Sequence, residues 1–163
     1  MAFACKTIRC VLVAGLLAAD LAGAQAAAAK AAAADSTRQV LGDFGFFGRW
    51  SPDCDQAPSP DNSLRTTFVT RSGAVGFKEQ FGAGYRDNLY QVLAASRTAD
   101  DQVSIRVRLN GEITQDLVMA MDNGRLRIME NRPPAGKTAG PAVVENGVIT
   151  ASGAPTPWMS RCR

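Results

Sequence analysis

Histidine is missing altogether from the 163 residues. Its absence removes every imidazole-based catalytic device, the Ser-His-Asp type included, and the commonest protein metal ligand. Cysteine is scarce, at four residues, and two of these, Cys5 and Cys10, fall in the extreme N-terminal stretch. No segment beyond that stretch is long and apolar enough for a membrane-spanning helix, which needs about 20 residues. The chain is therefore not expected to be an integral membrane protein. Gly82-Ala83-Gly84 precedes a strand pattern, whereas phosphate cradles feed a helix N-terminus. Asp53-x-Asp55 is followed by a Pro-rich loop without calcium-loop ligand spacing, so neither a cofactor nor a metal is expected. Charge of neither sign dominates: 18 basic and 15 acidic residues give a net charge of +3, which supplies no argument for a nucleic-acid partner. Arginine outnumbers lysine 14 to 4. A GC-rich coding sequence accounts for that ratio more readily than oxyanion recognition does.

What is present begins with an export pattern. Lys6 and Arg9 supply a basic start and Val11–Ala19 an apolar run. Ala22-Gly23-Ala24 and Ala24-Gln25-Ala26 then offer small-x-small cleavage sites. Residues 1–26 read as a signal peptide, cleaved after Ala24 or Ala26, and the mature protein as periplasmic or secreted. Residues 27–44 open on an alanine-dominated run and read as a tether of weak helical tendency, since a short helix without a partner face is marginal in water. Residues 45–163 are enough for one core and too few for two domains. Cys54 and Cys162 remain near the two ends of this domain, in a compartment where disulfides persist. Their bridge would close a loop worth roughly 4–5 kcal/mol in chain-entropy models.

From Leu64 onward, short apolar alternations are separated by turn pairs, the all-β signature. Strands are expected at Leu64–Arg71, Ala74–Phe81, Asn88–Ser96, Gln102–Arg108, Glu112–Asp122, Arg125–Asn131 and Val143–Thr150. A short strand around Arg49-Trp50 and an extended segment over Pro155–Cys162 flank them. Facing residues of a hairpin share one side of the sheet, so strand phase fixes loop parity. The odd-numbered apolar sets before and after Asn110-Gly111 require a three-residue loop, which sets Arg108 opposite Glu112 and Val107 opposite Ile113. Met119 and Met121 against Leu126 and Ile128 require the opposite parity. A two-residue Asn123-Gly124 turn supplies it, with Asp122 facing Arg125, Met121 facing Leu126 and Met119 facing Ile128. Ser72-Gly73 would likewise set Phe68 opposite Phe77. The expected architecture is an up-and-down antiparallel meander closing into a small barrel of about eight strands. Closure removes the exposed edges, and the Cys54–Cys162 bridge would bring the first and last strands together.

Gly48-Arg49-Trp50, preceded by Phe44, Phe46 and Phe47, resembles the Gly-x-Trp signature of lipocalins and related small barrels. The resemblance implies that Trp50 plugs one barrel end and that a late arginine packs on it, with Arg161 the match and Trp158 nearby. Some bacterial protease inhibitors are similar disulfide-bonded barrels with a Gly-x-Trp opening, although their cysteines lie close together in sequence. Gly48-Arg49-Trp50, Asp53-Cys54 and Thr156-Pro157-Trp158 to Arg161-Cys162 also resemble small exported proteins of alphaproteobacteria, a likeness that brings no activity with it.

The carboxylates Asp53, Asp55, Asp100, Asp101 and Glu112 sit in loops or turns, where solvated charge is ordinary, while Glu79 and Glu130 fall within strands and could face inward. No catalytic pair follows from this, and no enzymatic activity is expected. Arg106, Arg108, Arg125 and Arg127 look like a basic patch in linear sequence, but the hairpin registers spread them along the sheet, so a solvated face is expected. Phe68, Phe77, Met119 and Met121 are candidates to line a pocket, since methionine adapts to ligands. The functional expectation is a non-enzymatic exported barrel that binds a small apolar ligand or a protein partner. The alternatives are an inhibitor of a secreted or periplasmic hydrolase, and a structural module without a ligand.

Overall fold

A computed structural model describes residues 36–134 and 141–163, together with Ala29, Ala33 and Ala34. The proposed signal peptide, most of the alanine run and residues 135–140 lie outside the described residues. Ten strands follow in chain order: β1 (Arg49–Ser51), β2 (Leu64–Val69), β3 (Val75–Gln80), β4 (Asn88–Ala99), β5 (Gln102–Leu109), β6 (Ile113–Asp122), β7 (Arg125–Arg132), β8 (Val144–Glu145), β9 (Val148–Ile149) and β10 (Ser160–Cys162). They form one antiparallel sheet in the order β10-β1-β2-β3-β4-β5-β6-β7-β8-β9, curled into a half-barrel. The Cys54–Cys162 disulfide is formed, with Cα atoms 5.4 Å apart.

The closed eight-stranded barrel expected from sequence is not what forms. The segment that would zip β7 to β10 carries Pro155 and Pro157, which have no N–H to donate to a ladder. Met159 alone exchanges two backbone hydrogen bonds with Leu126, at 2.9 and 2.8 Å, as an isolated bridge. The sheet instead continues past β7 into the β8–β9 hairpin, turned at Asn146-Gly147.

The β6–β7 register is the one read from sequence: Asp122 pairs with Arg125, Met121 with Leu126 and Met119 with Ile128, around Asn123 and Gly124 at positive φ. Two other hairpins differ. The β5–β6 loop has three residues but is Asn110-Gly111-Glu112, so Leu109 pairs with Ile113 and Arg108 with Thr114. Ile113 thereby lies at the sheet end and is 56% exposed. The β2–β3 turn spans five residues, closed by Thr70 N–H to the Ala74 carbonyl at 2.8 Å, and Val69 pairs with Val75. Thr67, not Phe68, faces Phe77.

The concave side of the sheet holds the core: Trp50, Phe77, Tyr90, Val92, Val103, Ile105, Val107, Leu117, Met119, Leu126 and Met159. A short helix over 36–43 and the turn after it add Leu41, Phe44 and Phe46. The compact unit therefore begins at Ala34, not at Gly45, and residues expected in the tether are part of the core. Phe46 meets Phe77 edge-on at 5.7 Å, and Phe77 stacks on Tyr90 at 4.3 Å.

Candidate functional site

Two places concentrate polar chemistry, one inside the sheet and one outside it. Inside, Arg65 of β2 stands opposite Glu79 of β3, and both face the core. Arg65 is 1% exposed. Its Nε donates to Glu79 Oε1 at 3.0 Å, and its Nη2 donates to the same oxygen. Nη1 reaches the Met119 sulfur at 3.8 Å, and the guanidinium lies 5.0 Å from the Phe77 ring centre. Burial, reinforced by the Glu79 charge, pushes the Tyr90 phenol above its ordinary range. This cluster neutralises itself among large buried side chains and orders the interior around it.

Outside, a groove of about 700 Å³ crosses β4 to β8. Its lining includes Ala94, Ser96, Ser104 and Val118, with Arg106, Asp116, Glu130, Arg132 and Glu145 supplying charge. Bulges put these residues there. Along β4, Tyr90 and Val92 face the core, and a register shift between Val92 and Ala94 turns Ala94 and Ser96 outward. Between β6 and β7, a shift at Val118–Met119 pairs Val118 with Glu130 and Asp116 with Arg132, on the outer side. Arg106 and Asp116 form a bidentate pair at 2.7 and 2.9 Å, and this hydrogen bonding holds the guanidinium more firmly protonated. Glu130 pairs with Arg132. Salt bridges fix the long side chains as walls, while alanines and serines keep the floor low.

The residues singled out from sequence do not gather into one site. Trp50 is 2% exposed, its Nε1 donating to the Phe46 carbonyl at 2.9 Å, and Arg161, its register partner, lies 6.0 Å from the ring centre. A Cβ on Gly48 would come within 2.8 Å of Arg161 Nε, which gives the glycine of Gly48-Arg49-Trp50 its steric reason. Trp158 is not with this pair. It stands beside β7, with Arg125 and Arg127 over its ring at 5.4 and 5.5 Å. Of the four pocket candidates, Phe77 and Met119 are fully buried packing residues and Met121 is half-buried. Phe68 is corrected to the outer face, 37% exposed, where its ring covers Gly76: a Cβ there would meet the Phe68 ring at 2.6 Å. Glu79 faces inward, Glu130 outward. Arg106 stands opposite Asp116, and Arg127 is level with Ala120.

Sequence reasoning missed Arg65 and the groove. The inward phase of β2 is Arg65, Thr67, Val69, against the more apolar Leu64 and Phe68. The groove depends on bulges that strand periodicity does not encode. Among the described residues no group of three or more Cys, Asp or Glu is placed to hold a metal, and no helix is long and apolar enough to cross a membrane. Compared with known proteins, the chain matches no family model, no curated protein and no solved structure.

Proposed function

We propose that this chain is an exported, non-enzymatic binding module that holds a protein partner in the outer groove across β4 to β8. The observation that carries the reading is the groove itself. Its size suits a ligand segment, and charged side chains wall a floor of small residues, Ala94, Ser96 and Ser104 among them. Two arginines and three carboxylates give its walls both signs of charge, with Arg106–Asp116 and Arg132–Glu130 already paired, which suits a peptide segment that carries polar groups. The interior, by contrast, is packed with Phe77, Met119, Leu117 and the Arg65–Glu79 pair. Export rests on the signal pattern at residues 1–26 and on the disulfide, which suits an oxidising compartment.

A second reading, the hydrolase inhibitor, draws on the loop between β3 and β4. Tyr85 is 59% exposed there, between Gly82 and Asp87, and an aromatic at a loop tip suits insertion into a partner's cleft. Photocrosslinking separates the two. A benzophenone residue at Ser104, in the groove, should give a discrete adduct in the native envelope, and the same residue at Tyr85 should not. An adduct at Tyr85 alone would move the assignment to the inhibitor, and none at either position would remove the protein-partner reading.

A further inference from the structure

A second surface of different chemistry lies where the chain passes from Pro155 to β10 alongside the first half of β7. Three arginines are answered by carboxylates: Arg65 by Glu79, Arg106 by Asp116 and Arg132 by Glu130. Arg125 and Arg127 are not, and no ion pair joins either to an acid among the described residues. Both lie over Trp158. Asp122, the register partner of Arg125, is engaged by the Asn123 side chain at 2.9 Å. Arg127 is fixed further, donating to Thr156 Oγ1 at 3.0 Å and to the Gly147 carbonyl at 2.6 Å. The Arg125 side chain is exposed and donates no hydrogen bond among the described residues. Exposed Val148, Pro155 and Pro157 border the same place, where Val148 bridges Pro155.

We infer that this face docks on an anionic phospholipid bilayer. A half-buried indole suits the headgroup level, where one end of the ring is apolar and the other wet. Guanidinium groups match phosphate oxygens in a bidentate way. Stacking on Trp158 has already ordered both side chains, so docking loses less side-chain entropy. The exposed valine and prolines favour a bilayer over a free oxyanion, because cations alone would serve the latter. The surface uses the start of β7, whereas the groove uses Glu130 and Arg132 at its far end, so the inference stands independently of the groove.

Sedimentation with vesicles tests it, using the mature full-length protein. Binding is expected to vesicles containing phosphatidylglycerol and not to pure phosphatidylcholine, and to weaken as salt screens the charges. Arg125→Gln should weaken it about five-fold, the size of one arginine near an anionic surface. Arg71→Gln, an exposed arginine at the β2–β3 turn, should leave it unchanged. Equal loss in the two variants would mean that net charge alone binds and would overturn the proposal. So would absence of binding to phosphatidylglycerol, or equal binding to both vesicle types. Saturation by inorganic phosphate without vesicles would make this a small-oxyanion site, and competition by polyglutamate at matched charge an acidic-protein site; either result overturns the bilayer assignment.

Discussion

Glu79→Gln keeps the shape of the side chain and removes the charge that answers Arg65. The guanidinium, 1% exposed, would retain the Met119 sulfur at 3.8 Å and the Phe77 ring at 5.0 Å, and neither neutralises it. Breaking a buried pair by removing one partner costs about 3–5 kcal/mol, because a charge is left uncompensated. Domains of this size have about 5–15 kcal/mol in total, so the variant would be marginal, with a melting temperature lower by on the order of 10–20 °C. Removing both charges behaves differently, since apolar replacements of buried pairs are often neutral. Arg65→Met combined with Glu79→Leu should therefore recover most of the loss seen in either single variant. Urea unfolding of the wild type, Arg65→Met, Glu79→Leu and their double variant gives the coupling directly, provided the slope m stays constant. Single variants each costing less than about 1 kcal/mol, and adding without coupling in the double, would refute the ion pair as a determinant of the interior.

Tyr90 supplies a pH test. Its phenol is raised in the folded state by burial first and the Glu79 charge second. The folded protein then keeps a proton that the unfolded chain releases near pH 10, so stability present below that pH is lost as pH rises through it. Denaturation midpoints should fall above about pH 10, and Tyr90→Phe should flatten that slope; an unchanged slope would tell against the assignment. Cys54→Ala should cost about 2–5 kcal/mol for a bridge spanning 108 residues, read by urea unfolding with and without reductant. Gly147→Val should lower the melting temperature more than Gly111→Val. Both residues have positive φ, but a Cβ at Gly147 would meet Arg127 Nη2 at 2.7 Å, while nothing lies within 4 Å of Gly111.

The sequence carried the strand pattern, the disulfide and the β6–β7 register, because each has a local chemical cause. Asn-Gly sets a two-residue turn, and apolar parity admits one pairing around it. The β2–β3 turn misled for an equally local reason. Phe68 is apolar yet faces outward, where it covers the Cβ-less backbone of Gly76, while Arg65 is charged yet faces inward. Pairing alternation with charge could have found it: Val75, Phe77 and Glu79 share an inward phase, and a buried acid requires a base on a neighbouring strand. The failure of closure was foreshadowed by Pro155 and Pro157, which cannot donate to a ladder. Bulges at Val92–Ala94 and Val118–Met119 were not legible, because each shifts the period by one residue without a composition signal. The groove depends on both.

Native mass spectrometry of the protein purified from its own cells separates a filled interior with a working outer face from a hollow calyx. The expected spectrum shows the chain alone and in complex with another protein. Ala94→Arg, which projects a long cation from the groove floor, should abolish the complex while leaving the melting temperature unchanged. A lipid-sized mass in place of the protein complex, unchanged in Ala94→Arg, would contradict the assignment.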